Sequence, residues 1–371
     1  MAKKVVAMLM CAVMLITSGI IAFAEEETST KTYVLSLEDS IKLALENDQT
    51  YKNFDSALLD AQKQIDNAKR DQREMKGSIP LPSGISLVAV KQGYHVEQAR
   101  IGLEVTKRSK QQYEKRTAYL ITQSYFGVKV AEETVKTAQA GYDLAKDNKK
   151  NIDLQFSMGM VSELDVKNAQ YSLNEAKAQL DKYTRMLELT YKSFASSLFI
   201  DESDITFVLT DEITYDDFSA DLKADTEKAV DIRLDLYQLK SVAMQAERYT
   251  NVTKLLGQTS AEHSAAMQSK LTADANYKNA VRQVDIQINS VYNSILDSRD
   301  ALKLAEENYA IRQQEYDVAV IQYDLGIITN SQLIAIMNIM TGSKIQLDNA
   351  KLNYKLAIEK YKCEIDVGLG M

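Results

Sequence analysis

Phe156-Ser-Met-Gly-Met-Val-Ser-Glu-Leu-Asp-Val166 and Tyr323-Asp-Leu-Gly-Ile-Ile-Thr-Asn-Ser-Gln-Leu333 follow one pattern. An aromatic residue precedes a glycine by three positions, two apolar residues follow it, and a hydroxyl residue then leads a carboxylate or amide by three. Glycine at that place ends a helix, because it takes the left-handed conformation without steric cost. Ser162-x-x-Asp165 and Thr329-x-x-Gln332 read as capping boxes that start the next helix. Each stretch is therefore a tight turn between two helices, and the chain contains it twice.

Working outward, the similarity persists at a shift of 167 residues: Tyr125 with Tyr292, Ala138 with Ala305, Tyr142 with Tyr309, Leu180 with Leu347, and Phe194 with Tyr361. Nearer the N-terminus the shift is 185, as in Leu37 with Leu222, Ala44 with Ala229, Glu46 with Asp231, and Ala61 with Ala246. The excess of 18 residues belongs to the first copy and falls between Arg70 and Tyr119. There Gly77 to Gly93, with Pro80 and Pro82, interrupts the helical pattern, and Ile85 to Val90 could form one short strand. Such a duplication is the primary fact of the sequence.

Composition supports long helices. The 371 residues include 2 Pro and 13 Gly, too few breakers for a loop-rich α/β enzyme. The spacing predicts helices over Leu37–Glu74, Tyr94–Gln155 and Ser162–Phe199, repeated over Leu222–Leu256, Ala261–Gln322 and Thr329–Glu364. At ~1.5 Å per residue the long members span roughly 90 Å. Their Met, Tyr and Ala stripes read as helix–helix core. A helix so long cannot bury its apolar stripe on one partner of similar size, so oligomerisation is expected. The fold class is all-α: long antiparallel coiled-coil helices in two tandem repeats, with at most a short β-hairpin. Expected domains are a signal peptide over 1–24, a first repeat over 25–200 with its apex insertion at 77–93, a linker with a short strand over 201–221, and a second repeat over 222–371.

The export signal rests on Lys3 and Lys4, the apolar run Val5–Ala22, and Ala22-Phe23-Ala24 before three glutamates. Without those two lysines, 42 basic residues face 52 acidic ones, a balance of −10 that offers nothing to nucleic acid. Cys11 lies in the signal, so Cys363 is alone and forms no intramolecular disulfide. His95 and His263 each sit just past an apex turn and read as polar residues at helix starts rather than as a metal ring. No zinc spacing, phosphate loop or dinucleotide fingerprint occurs, so neither enzyme activity nor a cofactor is expected.

Leu35-Ser-Leu-Glu-Asp-Ser-Ile-Lys-Leu-Ala-Leu-Glu-Asn47, together with the two turn stretches and the duplication, resembles the TolC, or outer-membrane efflux protein, family. The resemblance covers nearly the whole chain after the signal. It implies a homotrimer whose helices wall a hollow cylinder in the cell envelope, seated in the outer membrane by a β-barrel. The turns Gly159-Met160-Val161 and Gly326-Ile327-Ile328 would dock an adaptor protein of an inner-membrane transporter, and small molecules or proteins would pass through the lumen. The family's gate positions, six past the first glycine and three before the second, fall on Asp165 and Tyr323; the basic gate partner two past the second glycine is Ile328 here. The chain departs from the family in its barrel, since a membrane strand needs about 9–11 residues and only Ile85–Val90 is a candidate. A secreted helical toxin lacks its apolar hairpin here. An envelope coiled coil without transport is the alternative, but it has no need of apolar turns.

Overall fold

The computed structural model describes residues 31–76, 93–200, 205–214, 218–254 and 260–368. The signal peptide, the strand expected at Ile85–Val90 and the turn between the helices expected over Leu222–Leu256 and Ala261–Gln322 lie outside them. In order, the elements are β1 (Lys31–Leu35), α1 (Leu37–Asn47), α2 (Gln49–Lys76), α3 (Tyr94–Ser157), α4 (Glu163–Ser197), β2 (Ile205–Leu209), α5 (Leu222–Ile232), α6 (Leu234–Thr253), α7 (Ala261–Asp324) and α8 (Asn330–Asp366). Both α3 and α7 contain 64 residues, a length of about 96 Å. Each forms a hairpin, α3 with α4 and α7 with α8, while α2 lies along α3 and α6 along α7. The copies meet where α3 packs on α6 and α8.

The helices expected to run unbroken over 37–74 and 222–256 are each divided. Asp48 and Arg233 stand at equivalent positions, and both are extended, with ψ of 114° and 136°. Neither is a glycine or proline; tertiary contacts hold the bends. Asp48 is buried, accepts from the Thr50 backbone N–H at 2.7 Å, and accepts the Tyr113 hydroxyl of α3. Arg233 is 2% exposed and donates to Glu364 at 3.0 Å and to Asp235 at 2.6 and 3.1 Å. Each bend turns its apical helix onto the long helix while keeping a buried polar group satisfied.

Two cores sit at the level of these bends, and the duplication relates them. Ala44, Ile121, Tyr125, Val128 and Phe194 form the first; their equivalents Ala229, Ile288, Tyr292, Ile295 and Tyr361 belong to the second. The sheet, expected at most as a hairpin, is instead the parallel pair β1–β2, with Leu35 opposite Leu209. Parallel pairing requires a long crossover, and here the crossover is the whole first copy. Phe207 stacks edge-on against Phe194 at 4.9 Å. The buried Tyr125 hydroxyl donates to the Leu35 carbonyl at 3.1 Å and accepts from the Asp211 N–H at 3.0 Å, clasping both strand ends. Burial raises its pKa above the ordinary phenol value.

Candidate interaction site: the two glycine tips

Both hairpins end in the same backbone device. Gly159 (φ 73°) donates to the Phe156 carbonyl at 2.9 Å, and Met160 to that of Gln155 at 2.9 Å. Gly326 (φ 71°) donates to Tyr323 at 2.9 Å, and Ile327 to Gln322 at 2.8 Å. These paired bonds, over spans of three and five residues, form the Schellman closure. A Cβ at either glycine would meet nothing within 4 Å, so the left-handed backbone alone demands glycine there.

The next helix starts equally alike. Ser162 Oγ accepts from the Asp165 N–H at 3.3 Å, and the Asp165 carboxylate accepts from the Ser162 N–H and hydroxyl at 2.9 and 2.7 Å. Thr329 and Gln332 repeat the arrangement at 3.3, 2.8 and 3.0 Å. The bonds from Ser162 hold the Asp165 carboxyl below its ordinary pKa.

Around each glycine, the chain exposes apolar side chains at matching positions. Met160 and Ile327 are 69% and 67% exposed, and Met158 and Leu325 are 57% and 71% exposed. Val161 and Ile328 beside them are half-buried. In water such residues cost free energy that a partner's cover would recover, about 1.5–3 kcal/mol for each one fully buried.

The gate candidates fall in different surroundings. Asp165 is engaged by its own helix cap. Tyr323 is half-buried, and its hydroxyl is buried with no hydrogen-bond partner. Asn330, 8% exposed, has neither side-chain atom bonded. Their first-copy equivalents are Phe156 and Glu163, both exposed. Asn330 escaped the sequence reading because a single amide at a helix start resembles any capping residue. The histidines behave as helix-start residues. The His263 Nδ1 lies 3.2 Å from Thr253 Oγ1 and its N–H donates to the Ser260 cap at 3.2 Å, while exposed His95 packs edge-on to Tyr94. Among the described residues, no His, Cys, Asp and Glu group could hold a metal, and no helix is long and apolar enough to cross a membrane. Cys363 is a buried free thiol whose pKa burial pushes up to about 11.

No protein-family model matches this sequence, and no curated protein matches it. Solved structures do match. The CmeC outer membrane channel of Campylobacter jejuni superposes with a TM-score of 0.66 at 14% identity, over 89% of this chain and 85% of that one. The open-state MtrE outer membrane channel of Neisseria gonorrhoeae gives 0.65 at 12%, over 90% and 89%. The outer membrane protein VceC of Vibrio cholerae gives 0.62 at 12%, over 89% and 96%.

Proposed function

We propose that this chain, which has the fold of TolC-like outer membrane channels, is the tunnel component of an efflux or export system. In this reading three copies wall a lumen through which small molecules or proteins leave the cell. The glycine tips Gly159-Met160-Val161 and Gly326-Ile327-Ile328 receive an adaptor joined to an inner-membrane transporter. The tunnel works in the cell envelope and carries out no chemical step. The observation that carries the reading is the pair of register-matched, exposed apolar tips on a fold shared with channels. A structural coiled coil without transport gives no reason for Met160 and Ile327 to face water at equivalent places. Tyr323 and Asp165 are proposed as the narrow end's constriction, with Asp165 acting from within its cap.

Sedimentation of the exported chain in mild detergent tests the assembly, and a trimer is expected. Met160→Asp with Ile327→Asp should keep helicity and oligomer mass while losing crosslinks to the adaptor. Undiminished crosslinking would remove the docking role from the tips.

A further inference from the structure

A trough of about 1130 Å³ runs along α1 and past the first bend. Leu37, Ile41 and Leu45 recur every four residues, so one face of α1 supplies an apolar floor, which Phe126 of α3 extends. Lys355 of α8, its ammonium 6.0 Å over the Phe126 ring, and the residues after β2 complete the walls. Both copies and the segment between them therefore build the trough within one chain. The duplication does not repeat it. The equivalents of Glu38, Ile41 and Phe126 in the second copy are Lys223, Thr226 and Asn293, so neither the floor nor its charge is a by-product of the fold.

Charge is sorted along the trough. Glu38, Asp211 and Glu212 stand together at the start of α1. The Asp211 carboxylate accepts from the Leu37 N–H at 2.5 Å and from the Tyr125 hydroxyl at 3.2 Å, and Ser36 accepts from the Asp39 N–H at 3.1 Å. The helix donors are thus already answered. Glu38 and Glu212 are exposed and form no ion pair among the described residues. Of the lysines, Lys42 pairs with Glu46 at 3.9 Å and Lys355 with Glu359 at 3.6 Å. Lys52 lies beyond the bend, away from the two glutamates.

We propose that the trough binds a small organic cation with an apolar body. Its positive group lies between Glu38 and Glu212, and its body rests on Ile41, Leu45 and Phe126. A volume slightly above the roughly 300–1,000 Å³ of small-molecule sites holds such a ligand together with some water. An anion of the same shape would meet two carboxylates as like charge, and such a juxtaposition is what rejects it. The site is complete in one chain, so it stands apart from the assembly reading.

Rhodamine 6G and fluorescein share a xanthene frame and differ in charge, which makes them the probes. Fluorescence polarisation with the full exported chain in detergent-free buffer should show saturable rhodamine 6G binding, with fluorescein weaker at least about tenfold. Glu38→Lys with Glu212→Lys should reverse the order of the two dyes, an outcome that a merely structural role for these exposed carboxylates would not produce. Leu45→Gln exchanges one good helix former for another and should weaken rhodamine 6G about fivefold by removing apolar floor. Circular dichroism confirms equal helicity throughout. Absence of saturable binding, equal binding of the two dyes, an order that the double lysine variant leaves unchanged, or an unaltered dissociation constant for Leu45→Gln would each overturn the site.

Discussion

The Arg233–Glu364 pair offers the sharpest energetic test of the fold. Both side chains are nearly inaccessible, 2% and 7% exposed, and join the α5–α6 bend to the last turns of α8. Glu364→Gln keeps the shape and removes the charge. Leaving a buried charge wholly unpaired costs about 3–5 kcal/mol. Here Arg233 retains two bonds to Asp235, whose side chain is 49% exposed and therefore screened. The expected loss is accordingly about 2 kcal/mol, below the full penalty. Arg233→Met with Glu364→Gln removes the stranded guanidinium, and the double variant should recover most of that loss. The Lys228–Asp366 pair, 56% and 23% exposed, is the control, and Lys228→Met should cost under about 1 kcal/mol. Urea unfolding followed by circular dichroism, with unchanged m, reads all three. A Glu364→Gln cost equal to the control, or a double variant no better than the single, refutes the assignment of a charge-carrying bend.

Tyr323→Phe removes a buried hydroxyl that has no partner, so stability should hold or rise by up to about 1 kcal/mol; a constriction also predicts raised single-channel conductance. Unchanged conductance, with Asp165→Ala costing only helix stability, leaves a cap and no gate. Tyr125→Phe strips Leu35 and Asp211 of a buried partner and should cost about 1–3 kcal/mol in urea unfolding; a neutral result would dissolve the strand clasp. Because Ser162 depresses the Asp165 pKa from 3.8, its contribution is complete above that pH and lost as pH falls through the folded value. Asp165→Asn should therefore flatten the acid limb of a helicity titration, and an identical limb would deny the cap its charge.

The long helices were legible because breakers and period agree. Gly159 and Gly326 mark the tips, and the shift between their surroundings carries from Tyr94 and Ala261 to Ser157 and Asp324, where α3 and α7 begin and end. The bends at Asp48 and Arg233 were not legible, since neither residue breaks a helix by itself. Asp48 depends on Tyr113 and Arg233 on Glu364, partners 65 and 131 residues away. The parallel β1–β2 pair was hidden for the same reason: the five residues Lys31–Leu35 gain a partner only once the whole first copy has folded back. At the tips the glycines and caps could be read directly. The unbonded Tyr323 hydroxyl could not, because its burial depends on neighbouring helices rather than on its own turn.

The identical length of α3 and α7 has a bearing on how such a chain can change. Deleting one heptad from α3 alone would lift its tip about 10 Å out of level with the other and carry every inter-copy contact beyond the deletion out of step. A shorter or longer helical body is reached only by matched deletions or insertions in all four arms, α3, α4, α7 and α8. Variation in span should therefore occur in paired steps, with length conserved between the copies even where their side chains have diverged.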